Sequence, residues 1–200
     1  MGIVERKQRQ REEVRDGILR AAWALVQEEG WQSLSIRKIA DAIEYSVPVI
    51  YSHFENKDAI LQEFTKEGFR KLNNALDESG AQEKNPAAGL MLMAKAYWHF
   101  AFQNKEYYQL MYGLGMPTCE KVRQVPELSK FTDLLHGAVK NLITNSKNAE
   151  TDSFLKFHTF WSMLHGLVSI NMVERTACPD SLHELVLEDA VRGFIKNIQD

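Results

Sequence analysis

Side chains that suit contacts to nucleic acid are concentrated between residues 35 and 57. The Arg37 guanidinium offers a fork of donors that matches O6 and N7 of guanine, and the Tyr51 phenol suits a bond to a phosphate oxygen. Lys57 stands at a predicted helix start, where the helix dipole is positive, and a nearby phosphate would offset that repulsion. Each residue also has a structural reading: Arg37 as a surface cation or phosphate ligand, and Tyr51 as a half-buried aromatic.

Two short helices joined by a tight turn are predicted to carry these side chains. Ser35 is a candidate N-cap, and Ser46 is the candidate N-cap of the second helix, with Pro48 in its first turn. Asn56 is the candidate cap of a third, longer helix. The apolar face of the first helix has helical spacing at Ile36, Ile39, Ala40 and Ile43.

The second short helix divides into a core face and an outer face. Ile50 and Phe54 are predicted to point to the core, which leaves Val47 and Val49 exposed. Exposed valines suit contacts to thymine methyl groups, although plain surface placement fits as well. His53 fits a structural or phosphate-facing role better than base reading. The complete set of predicted DNA contacts is Ser35, Arg37, Ser46, Val47, Pro48, Val49, Tyr51, His53 and Lys57.

A corner between two short helices is by itself weak evidence for DNA binding, so the residue identities matter. The pattern Leu34-Ser35-x-Arg37-x-Ile39-Ala40, followed by Ser46-x-x-x-Ile50-Tyr51-x-His53-Phe54-x-x-Lys57, resembles the DNA-binding domain of the TetR family of bacterial transcriptional regulators. The resemblance implies a phosphate contact for Lys57, a small-molecule effector and a homodimer.

Two residues depart from the family pattern in the turn. Glu44 replaces the usual glycine, and Tyr45 replaces a small apolar residue. Positive φ is costly for a non-glycine residue, so we expect a differently shaped turn. A carboxylate at position 44 would also lie uncomfortably close to a phosphate.

The composition is that of an ordinary globular chain. Its 200 residues are 44% apolar and 26% charged, with a net charge of −3. No apolar run is long enough to span a membrane, and the first residues lack the apolar core of a secretory signal. Cys119 and Cys178 are isolated, which suits a reducing cytoplasm.

The net charge argues mildly against a nucleic-acid partner, because a basic domain is the usual footprint. The first fifteen residues are locally basic, with Arg6, Lys7, Arg9, Arg11 and Arg15 against Glu5, Glu12 and Glu13. This arm fits either contacts to phosphates or a minor groove, or a disordered solvated tail.

Helical periodicity continues through the rest of the chain, without an alternating strand pattern. The first helix is predicted over residues 9–29, and a long amphipathic helix over 57–78, followed by a turn-rich connector at 79–86. We therefore predict an all-α protein of about nine helices, with a helix-turn-helix DNA-binding domain at residues 1–56 and a helical effector-binding and dimerisation domain at 57–200.

Aromatic and methionine side chains cluster between residues 87 and 116 and again after residue 151. Core packing accounts for many of them, but the same side chains line ligand cavities well. Because the resemblance implies an effector, we predict an apolar or aromatic ligand. The candidate contacts are Tyr97, Trp98, Phe102, Tyr108, Met111, Tyr112, Met116, Phe157, His158 and Trp161.

The last two helices are the predicted dimer interface. In the family, these helices pair with their copies in a four-helix bundle, and Trp161-x-x-x-His165-Gly166 resembles a motif of one TetR subgroup. His158 and His165 lie two turns apart, too far to chelate one metal comfortably, so no metal or other cofactor is expected. The predicted contacts are Leu164, His165, Val168, Val186, Ala190, Gly193 and Phe194.

The favoured function is that of a homodimeric repressor, released from a palindromic operator by a small ligand. One alternative is a helical ligand-binding module without DNA binding, which the turn at Glu44 and Tyr45 keeps open. A helical enzyme is the other, but no carboxylate pair, nucleophile–base spacing, phosphate-binding loop or metal cluster supports it.

Overall fold

The computed structural model describes residues 2–80, 83–113, 126–173 and 180–200. Within these ranges the chain is all-helical and contains no strand. The described helices are α1 (Ile3–Glu29), α2 (Ile36–Ala42), α3 (Val47–Tyr51), α4 (Lys57–Gly80), α5 (Pro86–Gln103), α6 (Lys105–Gly113), α7 (Pro126–Thr144), α8 (Ser153–Val173) and α9 (Asp180–Gln199). None of them is both long and apolar enough to cross a membrane.

The chain packs as two compact units. The N-terminal unit comprises Met1–Thr65 and Glu106–Leu114, and the C-terminal unit comprises Lys66–Lys105 and Gly115–Asp200. The part of α4 up to Thr65 and nearly all of α6 thus belong to the N-terminal unit, although residues 66–105 between them do not. The boundary predicted at residue 56 stays a prediction about domain organisation.

A small apolar core holds the N-terminal unit together. Helix α1 starts at Ile3 instead of residue 9 and ends at Gly30, whose φ of 80° is the left-handed conformation that glycine tolerates. The Gly30 N–H bonds to the Val26 carbonyl at 2.8 Å. The fully buried side chains of this core come from α1, α2, α3 and α4 and include Ile18, Ala22, Ile39, Ile50 and Ile60.

Aromatic residues fill the centre of the C-terminal unit. Helix α5 begins with Asn85, whose side chain accepts bonds from two backbone N–H groups, and it is buried around much of its circumference. It packs against α7, α8 and α9. The largest fully buried side chains are Phe69, Tyr97, Phe131, Phe157 and Phe160.

Candidate DNA-binding interface

Local capping bonds form the first helix of the corner. The Ser35 hydroxyl oxygen accepts a bond from the Lys38 backbone N–H at 3.2 Å, as the sequence predicts for an N-cap. Ile39 and Ala40 are buried beneath the helix, while Arg37 is exposed. The Lys38 side chain forms a hydrogen-bonded ion pair with the Glu29 carboxylate. The hydrogen bond from Lys38 lowers the pKa of the Glu29 carboxyl.

Glu44 shapes the turn between α2 and α3. Its φ is 57°, so the glutamate itself takes the left-handed conformation instead of avoiding it. The Tyr45 N–H closes the turn by donating to the Ala40 carbonyl at 3.0 Å, and the Tyr45 side chain is half exposed. The turn therefore contains a strained residue where glycine would fit without strain.

Helix α3 is a five-residue element anchored by one side chain. Ile50 is completely buried, and Tyr51 on the next position is 52% exposed. Val47 and Val49 are half-buried, which corrects the prediction that they are exposed; Val47 lies three residues before Ile50 and so shares its face. Ser46 occupies the N-cap position, but its hydroxyl makes no capping bond, and Pro48 is exposed in the first turn.

The end of α3 is held by arginines from α1. Arg11 donates a hydrogen bond to the Ser52 carbonyl at 3.3 Å, and the Arg15 guanidinium lies over the Phe54 ring at 4.8 Å. Burial lowers the pKa of His53, and the positive charges of Arg11 and Arg15 lower it further. The His53 Nδ1 atom is buried and has no hydrogen-bond partner among the described residues.

The start of α4 supplies the last predicted contact. Asn56 accepts a bond from the Ala59 N–H at 2.9 Å, which confirms it as the N-cap, and Asp58 lies in the first turn. Lys57 is half-buried beside these groups. In the described parts of the chain, neither Lys57 nor Arg37 has an ion-pair partner, so both cations are available to a phosphate or a base.

The structure distributes the predicted effector contacts over both units. Tyr97, Trp98 and Phe157 are buried in the C-terminal unit, where Trp161 stacks on Phe157 with 6.2 Å between ring centroids. Phe102 is 38% exposed and His158 is also exposed. In the N-terminal unit, Tyr108 and Met111 are buried and Tyr112 lies 4.7 Å from Tyr108. Met116 lies outside the described residues.

Two further residues of the C-terminal unit, Phe131 and Asn73, were not among the predicted site residues. Phe131 of α7 lies 6.0 Å from Phe69, 6.2 Å from Tyr97 and 5.9 Å from Trp161 between ring centroids. Asn73 is buried, and its side-chain amide donates to the Glu127 carbonyl at 2.7 Å. Asn73 follows Phe69 by one turn, so a polar residue within the apolar stripe of α4 was the available signal.

An open groove in the C-terminal unit does not coincide with the predicted effector contacts. It has a volume of about 450 Å³ and lies between α4 and α5, with Arg70, Asn74, His99 and Phe100 among its lining residues. None of the predicted ligand-binding residues lines it. Among the described residues, no group of histidine, cysteine and carboxylate side chains has the arrangement of a metal site.

The predicted dimer contacts divide into buried and accessible residues. Leu164, Val168 and Phe194 are buried within the protomer, with Phe194 packed 4.9 Å from Phe160, so they present almost no surface to a second copy. Their assignment to a dimer interface stays a prediction. His165 and Ala190 are half-buried, Gly193 is exposed and Val186 is 43% exposed. Burial lowers the pKa of His165.

Other apolar residues on α8 and α9 are more accessible. Phe154, Leu155 and Ile170 on α8 are each more than half exposed, as is Leu185 on α9. Together, the helix-turn-helix with its available cations and the separate helical unit define a DNA-binding regulator.

Comparisons with known proteins give the family. Residues 18–64 match the model for bacterial regulatory proteins of the tetR family, and residues 90–194 match the tetracyclin repressor-like C-terminal domain. The chain therefore belongs to the TetR family, and the predicted all-α architecture, with an N-terminal helix-turn-helix and a C-terminal helical domain, is confirmed.

Individual relatives agree with this assignment. The uncharacterized HTH-type transcriptional regulator YobS of Bacillus subtilis (strain 168) is 30% identical over 92 residues, which are 46% of this chain and 48% of the relative. A second uncharacterized HTH-type regulator, Rv0681 of Mycobacterium tuberculosis, is 24% identical over 79% of this chain and 70% of its own length. The fold resembles that of a Rhodococcus sp. RHA1 protein of unknown function, with TM-score 0.77 and 22% identity, over 93% of this chain and 95% of that one.

Proposed function

We propose that the protein is a homodimeric repressor that binds a palindromic operator in the cytoplasm and is released by a small apolar or aromatic effector. The observation that supports this proposal is a helix-turn-helix accompanied by two cations, Arg37 and Lys57, that have no ion-pair partner among the described residues. The exposed phenol of Tyr51 lies on α3 of the helix-turn-helix. Such groups bind DNA phosphates and bases.

Contacts to DNA bases and contacts to the DNA phosphate backbone are assigned to different residues. Arg37 is exposed and suits a bidentate contact to guanine, whereas the half-buried Val47 and Val49 suit only edge contacts to thymine methyl groups. Tyr51 and Lys57 contact phosphates. Contacts to the DNA phosphate backbone are also proposed for Ser35, Ser46, Pro48 and His53.

A dimer presents two such helices to successive turns of the duplex. The spacing required is about one helical repeat, ~34 Å, which accounts for a palindromic site. Exposed apolar residues on α8 and α9 form the proposed contact surface, together with His165, Ala190, Val186 and Gly193. The Trp161-x-x-x-His165-Gly166 motif is proposed to mark a subgroup that shares this surface.

The effector is proposed to bind among the aromatic residues of the C-terminal unit. The Phe131 ring centroid lies 6.2 Å from that of Tyr97 and 5.9 Å from that of Trp161, and the three rings offer flat apolar surfaces. A ligand that prefers a conformation with the wrong spacing of recognition helices shifts the population away from the DNA-bound state. By linkage, ligand and DNA weaken each other by the same factor.

Selection of bound sequences from a random duplex pool tests the proposal. The purified protein is expected to enrich a palindrome with half-sites about one turn apart, and to lose affinity steeply as salt is raised. Recovery of an asymmetric single half-site would contradict the dimeric mode, and recovery of no sequence would contradict DNA recognition by the ligand-free protein.

The selected operator then tests the effector class. Apolar aromatic compounds are added to the protein–operator complex beside polar analogues of equal size, and release of the duplex is followed by fluorescence anisotropy. Release by the apolar members alone is the expected result. Release by polar members alone would show that the effector class is wrong.

A further inference from the structure

The N-terminal part of α1 extends beyond the matched DNA-binding domain. The family match begins at residue 18, whereas α1 begins at Ile3. Residues 4–13 are helical and exposed throughout. The alternative of a disordered tail is therefore not what the structure shows.

One face of this extension is basic. Val4, Lys7, Gln8, Arg11, Glu12 and Arg15 border one shallow groove, with the i, i+3, i+4 spacing of a single helix face. Three of the six are cations, and Gln8 donates a hydrogen bond to the one carboxylate, Glu12, at 3.3 Å. Arg6 lies on the far side of the helix, since each residue turns the helix by about 100°.

An apolar partner has little to bind here. Val4 is the one large apolar side chain among residues 4–13, and it is 76% exposed. The N-terminal turn is capped by Glu5, whose carboxylate accepts a bond from the Gly2 N–H at 2.9 Å. A basic, nearly apolar-free face is complementary to a polyanion, and it does not resemble a protein-binding stripe.

The position of Arg11 connects this face to α3. Arg11 donates to the carbonyl of Ser52, the residue after Tyr51. Lys7 lies one turn before Arg11 in α1, about 6 Å from it along the helix axis. The basic face is thus continuous with the surface on which Tyr51 is exposed.

We propose that the Lys7 and Arg11 face of α1 is an additional DNA contact, which binds phosphates that flank the site read by α3. This inference rests on the DNA binding proposed above. Arg11 has two roles, since it also holds the end of α3, and Lys7 is the residue that tests the phosphate contact without disturbing α3.

The test measures affinity for the selected duplex by fluorescence anisotropy over a salt series. Lys7→Gln is expected to reduce the slope of log affinity against log salt by about 0.9 for each bound protomer, and Val4→Lys is expected to increase it similarly. Arg6→Gln removes the same charge from the far side and is the matched control, expected to leave the slope nearly unchanged. Circular dichroism verifies that each variant remains helical.

Duplex length provides a second readout. Trimming the flanking base pairs is expected to weaken wild type, while affecting Lys7→Gln much less. Equal slopes for Lys7→Gln and Arg6→Gln would overturn the proposal. Lys57→Ala distinguishes failure of the α1 contact from failure of the DNA binding proposed above. If Lys57→Ala weakens binding while Lys7→Gln does not, only the DNA contact by α1 is excluded. If no variant changes binding, the proposed DNA interface itself is wrong.

Discussion

The indole N–H of Trp31 donates a hydrogen bond to the backbone carbonyl of Glu106, 2.7 Å away. The two residues are far apart in the sequence, yet both belong to the N-terminal unit. Tyr107 reinforces the connection by stacking on Trp23, with 4.2 Å between ring centroids. This hydrogen bond and this aromatic stack are therefore among the contacts that hold α6 within the N-terminal unit.

Trp31→Phe is expected to lower the free energy of unfolding by about 1–3 kcal/mol, because the part-buried Glu106 carbonyl loses its donor. Urea denaturation followed by circular dichroism measures the change. Phe64→Leu, a substitution at a neighbouring ring that makes no such bond, controls for lost aromatic packing. A Trp31→Phe protein as stable as wild type would show that the bond contributes nothing.

Glu44→Gly is expected to raise the free energy of unfolding by about 0.5–1 kcal/mol. Relief of the left-handed strain at φ 57° exceeds the greater backbone entropy that glycine has in the unfolded chain. Glu44→Ala is the matched control, because it removes the carboxylate and keeps the strain. Tighter DNA binding by both variants would show the effect of removing the carboxylate charge, and higher stability for Glu44→Gly alone would show the effect of relieving backbone strain. A Glu44→Gly protein less stable than wild type would contradict the strain argument.

Acid is expected to destabilise the N-terminal unit through His53. Its pKa is lowered in the folded protein, so below the ordinary value of 6.5 the unfolded chain binds a proton that the native imidazole does not. Stability is therefore unaffected by this group above that value and falls as pH drops from 6.5 towards the folded pKa. Unfolding measured between about pH 7 and about pH 5 should show a shallower decline for His53→Gln.

His165 is expected to add to the loss of stability in acid, because burial lowers its pKa as well. His165→Gln is for this reason compared beside His53→Gln, and the double variant should show the shallowest decline. An unchanged pH profile in His53→Gln would mean that its imidazole titrates alike in the folded and unfolded chains.

DNA contacts of two kinds should respond differently to substitution. Lys57→Ala and Tyr51→Phe remove proposed phosphate contacts and are expected to weaken all DNA sites about equally. Arg37→Ala is expected to relax preference at one base pair, with a cost of about 1–3 kcal/mol at the best site. Binding to a set of single-base operator variants measures both effects. Uniform weakening by Arg37→Ala would make Arg37 a phosphate ligand.

The accessible apolar surface of α8 and α9 should hold the dimer together. Leu185 is 62% exposed, and Leu185→Glu would place a charge in the proposed interface. Sedimentation velocity should then show a monomer. Leu92→Glu is a matched control, since Leu92 is 40% exposed but lies on α5. A dimer that survives Leu185→Glu would place the interface elsewhere.

Much of the fold could be predicted from the sequence because its signals are local. Ser35 and Asn56 cap helices, and Gly30 ends one, through bonds that span only three or four residues. The apolar spacing of α2 identifies Ile39 and Ala40 as core because a helix has a fixed period. The same locality made the helix-turn-helix, and with it the family, recognisable.

Only the tertiary structure decided which apolar residues each unit buries. Helix α8 has apolar side chains around much of its circumference, so periodicity cannot distinguish Leu164, which is 1% exposed, from Ile170, which is 58% exposed. That difference depends on where α7 and α9 pack against α8. Likewise, Trp31 meets Glu106 across a long stretch of chain. No local pattern encodes such contacts, because they arise from packing distant segments against one another.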